Sequence, residues 1–236
     1  MIELLLLDQF TETLRDHPSA GWCKWFQRVQ MQELCRKYHN FDNFCEIGCH
    51  NYFELLSEYP GTKIVIDPYL GGGGAGLDKV PEDLPYPSIL FRCMLGLNSA
   101  AVPSNFIDFS YSVSVLEHIG QAEVNYDCNP CDDPPNEQES PRNAFCEELF
   151  RITRPGGVSI HSIDHAPRNR TYVANFLRAG FKLLHDDPMP SLDELLDHPN
   201  AVRQRHGWMD VNEPMSEAEQ RLHSVLTLGF RKPSHP

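Results

Sequence analysis

Residues 45–52 read CEIGCHNY, and the reading of this octapeptide decides what kind of sheet the chain builds. Upstream, FDNFC (41–45) is the apolar run of a short strand, and downstream YFELLSEY (52–59) has the spacing of a helix. Between them stand a carboxylate, Glu46, and a glycine, Gly48. A strand that ends in this way and leads into a helix opens a nucleotide-binding loop, because glycine lets the backbone turn sharply and approach a ligand closely. The positions where such loops repeat the glycine hold His50 and Tyr52. Either the loop holds a nucleotide in another way, or the chain has kept a fold and lost a ligand.

Working outward, KIVIDPY (63–69) is a β-branched strand that carries Asp67 to its end, 19 residues beyond Gly48. That spacing suits a carboxylate that accepts hydrogen bonds from a ribose diol. An acidic strand end that merely caps a loop is the alternative. SILFRCM (88–94) and NFIDFSYSVS (105–114) predict a third and a fourth strand, NAFCEELFRIT (143–153) an amphipathic helix, PGG (155–157) a turn and VSIHSID (158–164) a fifth strand. TYVANFLRAG (171–180) predicts a helix closed by Gly180, FKLLHDD (181–187) a sixth strand and HSVLTLGFRK (223–232) a seventh. Strands alternating with helices predict an α/β fold with a mostly parallel sheet covered on both faces. Residues 1–40 read as an N-terminal helical segment, with Trp22, Trp25, Phe26, Val29 and Leu34 at helical spacing, and 41–236 as the α/β domain. Two stretches interrupt the alternation: 127–143, rich in proline and acid and read as a loop, and 186–214, irregular apart from a short SLDELLDH helix.

With 236 residues the chain is long enough for one domain with a substantial core. Its formal net charge of -13 repels polyanions at long range, so nucleic acid is not expected as a partner. No apolar run approaches the ~20 residues that cross a bilayer, so no membrane partner is expected. MIELLLLDQF lacks a basic region ahead of its leucines and soon meets Asp8, which fits the start of a helix or core strand better than a signal peptide. Of eight cysteines, Cys23, Cys35, Cys45, Cys49, Cys93 and Cys146 stand in apolar or helical surroundings, where thiols act as small hydrophobes. A reducing cytoplasm is the expected setting.

Two further stretches complete a pattern. IDFSYSVSVLEHI (107–119) runs from a strand into a helix, and FRITRPGGVSIHSID (150–164) supplies helix, turn and strand. Together with EIG (46–48), Asp67 and RAGF (178–181), these landmarks resemble, in order and spacing, the class I S-adenosylmethionine-dependent methyltransferases over residues 41–232. The resemblance implies a Rossmann-like three-layer sandwich whose seven-stranded, mostly parallel sheet has an antiparallel last strand. It implies S-adenosylmethionine as cofactor and a small-molecule or sugar-like methyl acceptor. Glu46, Gly48 and Cys49 would lie beside the methionine part of the cofactor, and Asp67 would hold the ribose hydroxyls. Pro68 and Tyr69 would wall one face of the adenine, Met94 and Leu95 would cover the other, and Ser112 and Val113 would line the floor near the sulfonium. The departures are His50 and Tyr52, and the lack of an aspartate near Cys93 and Met94 to bond the adenine amino group.

Methyl transfer is an in-line displacement that depends on alignment, and it needs a general base only when the acceptor must lose a proton. The candidate bases are His118, directly after the fourth strand, and His165, beyond the fifth; for His118 a helix-start histidine bonded to nearby backbone is the simpler alternative. HSIDH (161–165) places His161, Asp164 and His165 at one strand end, as an acid/base or metal group or as simple strand alternation. CNPC (128–131) has the spacing of half a zinc site with no second pair, so no metal is assigned. GGGGAG (71–76) lacks the lysine of a phosphate loop and reads as a flap. Two other readings stay open: a non-catalytic binding or scaffold protein with a degenerate cofactor loop, and a dinucleotide enzyme, which the missing GxGxxG disfavours.

Overall fold

The β-branched and aromatic runs form strands where the sequence predicts them. The structure, a computed structural model, describes residues 38, 40–48, 60–69, 88–113, 115, 116, 119, 139–163, 169–184, 202, 203 and 224–234. Among these, the strands are β1 Asn43–Ile47, β2 Thr62–Ile66, β3 Ser88–Phe91, β4 Ile107–Val113, β5 Thr153–Ile163, β6 Lys182–Leu183, β7 Val202–Arg203 and β8 Ser224–Arg231. Two helices are described, α1 Glu139–Ile152 and α2 Asn169–Ala179. The strand order is β3-β2-β1-β4-β5-β8-β6. β1 to β5 pair in parallel, and β8 runs antiparallel to both β5 and β6. This is the mostly parallel α/β sheet with an antiparallel last strand that the sequence predicts. Of the expected N-terminal helical segment 1–40, residues 1–37 and 39 lie outside the described residues.

Three boundaries differ from expectation. α1 begins at Glu139, inside the stretch read as a loop, and Pro141 is tolerated because the amide it lacks has no partner in a first helical turn. β7 is a two-residue strand within the irregular stretch 186–214, pairing with the start of β8. The PGG segment is an irregularity inside β5 and not a turn ahead of it. Ile107 pairs with Thr153 and Phe109 with Val158, so residues 154–157 bulge opposite Asp108 alone. Asp108 holds the bulge by pairing with Arg154 at 2.7 Å and accepting the Asn43 amide at 2.9 Å. Gly156, at φ 82°, donates to the Lys232 carbonyl beside it.

The register sorts side chains onto two faces. Cys45 pairs with Ser110 and Ser110 with Ser159, so these share a face with Ile47, Ile64 and His161. On that face Cys45, Ile47, Ile64 and Ile66 join Cys146, Leu149 and Ile152 of α1, Phe176 of α2 and Phe230 of β8 in one core. Phe176 stacks on Phe230 with ring centroids 4.0 Å apart and planes within 6°, and Phe181 meets Phe150 edge-on at 5.1 Å. The opposite face carries Phe44, Phe109 and Tyr111, over which Tyr38 and Phe41 pack with centroids 5.9 and 6.2 Å from Phe109. Arg151 ties the loop after β3 to α1, gripping Glu148 through two bonds and donating to Ser104 and the Val102 carbonyl.

Phe176 has no exposed surface and fills the junction of α2 with β8. Phe176→Ala is expected to lower the unfolding free energy by about 3–5 kcal/mol through lost burial and a residual cavity. Urea denaturation followed by circular dichroism measures this; a loss below about 1 kcal/mol would mean that the stack does not anchor α2.

Candidate functional site

β1 is paired with β2 on one side and β4 on the other. The strand order therefore reverses at β1/β4, and in an open parallel sheet a crevice forms above the carboxyl ends of the strands flanking such a point. Gly48 forms the turn out of β1. Its amide donates to the Ile66 carbonyl at 2.9 Å, tying the turn to the end of β2, and its φ is 72°, where L side chains are strained. A Cβ on Gly48 would stand 2.4 Å from Val115 Cγ2. Glycine is thus required by the turn itself and by the chain leaving β4, independently of any ligand.

Beyond β2, the Asp67 amide donates to the Phe91 carbonyl and Asp67 Oδ1 accepts the Tyr69 amide at 2.6 Å. This short turn holds Tyr69, a buried residue, at φ 51°. A non-glycine residue in that region is strained, and such strain gathers at functional sites. Pro68 is half-buried at the same strand end. Past β3 the two residues assigned to one adenine face separate. Leu95 packs into the core, whereas Met94 is 42% exposed beside the 76% exposed Leu97. The following turn explains the split: Gly96, at φ 82°, passes so close to α1 that a Cβ would lie 2.5 Å from the Ala144 carbonyl carbon.

At the end of β4, Ser112 and Val113 are both buried and point to opposite faces. The Ser112 hydroxyl bonds His161 Nδ1 at 2.7 Å on the helix-covered face. His161 is therefore no cleft group at the strand end: it lies within β5 with no exposed surface. Its Nε2 bonds Ser159 Oγ at 2.8 Å, and Ser159 bonds Ser110 at 2.7 Å. With both ring nitrogens occupied and Phe176 at 5.0 Å, burial pushes the imidazole down to about 3, so it is neutral at physiological pH. This closed chain of three hydroxyls and one imidazole supports the sheet.

The other face holds the group that sequence reasoning missed. Tyr111, the register partner of Glu46, donates its hydroxyl to Glu46 Oε2 at 3.2 Å. Glu46 is 1% exposed. Burial, added to the charge of Asp67 and opposed by the Tyr111 bond, raises its carboxyl to about 8. Tyr111 lies inside the quoted IDFSYSV run, but only pairing of β1 with β4 reveals that it meets Glu46. Cys49, His50, Tyr52, His118, Asp164, His165, Cys128, Cys131 and the glycine run at 71–76 lie outside the described residues. Among the described residues no group of three His, Cys, Asp or Glu side chains is placed to hold a metal ion, no helix is long and apolar enough to cross a membrane, and Cys45, Cys93 and Cys146 are free buried thiols.

Solved structures share this arrangement. N-methyltransferase NodS from Bradyrhizobium japonicum WM9, in complex with S-adenosyl-L-homocysteine, superposes with a TM-score of 0.52 at 13% identity, covering 94% of this chain and 97% of its own. The fold is that of the S-adenosylmethionine-dependent methyltransferases. A second similar structure is the 1,6-didemethyltoxoflavin-N1-methyltransferase of Burkholderia thailandensis, with bound 1,6-didemethyltoxoflavin and S-adenosylhomocysteine (TM-score 0.52, 10% identity, covering 96% of this chain and 86% of its own). The [4+2]-cyclase SpnF also shares the fold, with a TM-score of 0.51 at 15% identity over 97% of this chain and 93% of its own. By sequence, no family model matches the chain. Nor does any curated protein match it by sequence.

Gly48→Ala should lower stability by about 1–3 kcal/mol through backbone strain and the Val115 clash. Val115→Ala in the same chain should restore part of that loss, and a double-mutant cycle by urea denaturation reads the coupling. Purely additive effects would separate the two residues. The buried Glu46 and His161 also make opposite pH predictions. The folded state keeps a proton on Glu46 up to about 8, whereas the unfolded carboxyl ionises above 4.5, so this group's contribution falls as pH rises across that window. Folded His161 stays neutral down to about 3 while the unfolded imidazole protonates below 6.5, so its contribution falls as pH drops below 6.5. Each slope is at most about 1.4 kcal/mol per pH unit, and they oppose one another between 4.5 and 6.5. Unfolding free energies over that window should fall toward low pH in Glu46→Gln and toward high pH in His161→Gln. Parallel profiles in the two variants would contradict the opposed titrations.

Proposed function

We propose that the chain is an S-adenosylmethionine-dependent methyltransferase acting on a small-molecule or sugar-like acceptor. The observation that carries the reading is the pair of buried carboxylates, Glu46 and Asp67, at the carboxyl ends of adjacent strands beside the point where strand order reverses. A ligand with a cationic group, a vicinal diol and a flat apolar base fits this donor set. Asp67 would accept the ribose hydroxyls, with Pro68, Tyr69 and Met94 as the apolar walls of the base site. Glu46, Gly48 and Cys49 would face the methionine part, with Val113 and the backbone of Ser112 beneath the reacting end. Leu95 would act from the core by holding the Met94 segment in place. S-adenosylmethionine would supply an activated methyl group; the chain's own task is alignment and exclusion of water. Where the acceptor carries a proton, His118 or His165 would take it.

The net charge of -13 supports a small-molecule acceptor over nucleic acid, and the free buried thiols support a reducing, cytoplasmic setting. His50 and Tyr52 in the loop favour a second reading, a non-catalytic binding or scaffold protein of this fold with a degenerate cofactor loop. Calorimetric titration with S-adenosylmethionine and S-adenosylhomocysteine separates the two. Micromolar binding is expected, weakened at least tenfold in Asp67→Ala through loss of charge-assisted bonds worth about 1.5–3 kcal/mol. No heat with either ligand from folded protein would overturn the cofactor reading.

A further inference from the structure

Glu46 is almost wholly buried and sits beside a second carboxylate, Asp67. The tyrosyl hydroxyl 3.2 Å away is a good donor to an ionised carboxylate, yet a neutral donor cannot balance a buried charge. Tyr111 itself is fixed by pairing with β1 through Glu46 and with β5 through Ile160, and its ring lies 6.4 Å from that of Phe109. Tyr111 of β4 and Asp67 beyond β2 act on the Glu46 carboxyl, and the adjacent Cys45 thiol, pushed up by burial and by Glu46 itself, stays protonated and adds no charge. Burial and the neighbouring carboxylate hold such a carboxyl neutral at physiological pH, and a cation brought against it would favour the ionised form.

Building on the proposed cofactor site, we propose that Tyr111 is a positioning residue that holds Glu46 for recognition of a cationic cofactor, and that Glu46 gives up its proton to solvent as that cofactor binds. The Glu46 O–H bond breaks, the proton passes to the buffer, and the carboxylate left behind pairs with the ligand's positive charge while the Tyr111 hydroxyl continues to donate to Oε2. Recognition of charge is thereby coupled to pH. The carboxyl of free protein is raised to about 8. Below that pH, binding must also remove a proton, so affinity weakens by up to tenfold per pH unit as pH falls.

The test is titration calorimetry with S-adenosylhomocysteine, and in parallel with S-adenosylmethionine, at pH 7 in three buffers of different ionisation enthalpy. Wild-type protein is expected to release close to one proton per ligand bound, and Glu46→Gln close to none. At pH 7 the ligand's own amino group is already mostly protonated in solution, so its titration adds little to the difference between the two proteins. Dissociation constants from pH 6 to 8 should tighten steadily in wild type and stay level in Glu46→Gln. In Tyr111→Phe the hydrogen bond that lowers the Glu46 pKa is gone, so the profile should move to higher pH; a purely structural role for Tyr111 would weaken binding equally at every pH. Binding by wild type with no proton released and a level pH profile would overturn the proposal while leaving the cofactor reading intact, whether or not the variants fold. Absence of binding at every pH would overturn both.

Discussion

The hydrogen-bonded seam that joins β1 to β2 on one side and to β4 on the other is the constraint on which the rest of the structure depends. A strand in that position is covered on both faces, and its apolar residues cannot slip register without exposing one face and stranding polar groups on the other. Once the seam forms, the chain has to leave β1 by a turn that clears Val115 beyond β4, and only a glycine at positive φ does so. The same seam sets the carboxyl ends of β1, β2 and β4 side by side. Glu46, Asp67 and Tyr111 meet there because their strands do.

The sheet carries buried polar groups on both faces, and they behave differently because their partners differ. Under α1 and α2, Ser110, Ser159, His161 and Ser112 satisfy one another in a chain that needs no charge, among the aromatic rings of Phe176 and Phe230. Polar groups satisfied in this way stabilise a particular register. On the opposite face, Glu46 has a tyrosyl donor but also a second carboxylate nearby, so its burial favours the neutral acid. The two faces therefore differ in kind: the Glu46 side holds a carboxyl that burial keeps neutral, whereas the His161 side is a self-satisfied structural chain.

Much of this was legible in the residues. Alternating β-branched and amphipathic runs announced a mostly parallel sheet, the methyltransferase resemblance implied its antiparallel last strand, and Gly48 and Asp67 marked the turn and the strand end. Boundaries were less legible where local chemistry misleads. Proline-rich ESPRN reads as loop, yet a first helical turn has no use for the amide that proline lacks. PGG reads as a turn, yet Asp108 and Lys232 hold it as a bulge within β5. HSIDH offered His161 as a strand-end base, and only the depth of β5 in the sheet shows it to be sealed.

By itself, the sequence determined the alternation of elements, the glycine at the turn and the carboxylates at two strand ends, because periodicity and backbone freedom are local properties written in neighbouring residues. Only the tertiary structure decided which groups touch. That Tyr111 binds Glu46, that Ser112 faces His161, and that Leu95 enters the core while Met94 stays outside all follow from strand register and from the approach of α1 to Gly96. These are contacts between residues up to 65 positions apart, and no local pattern records them.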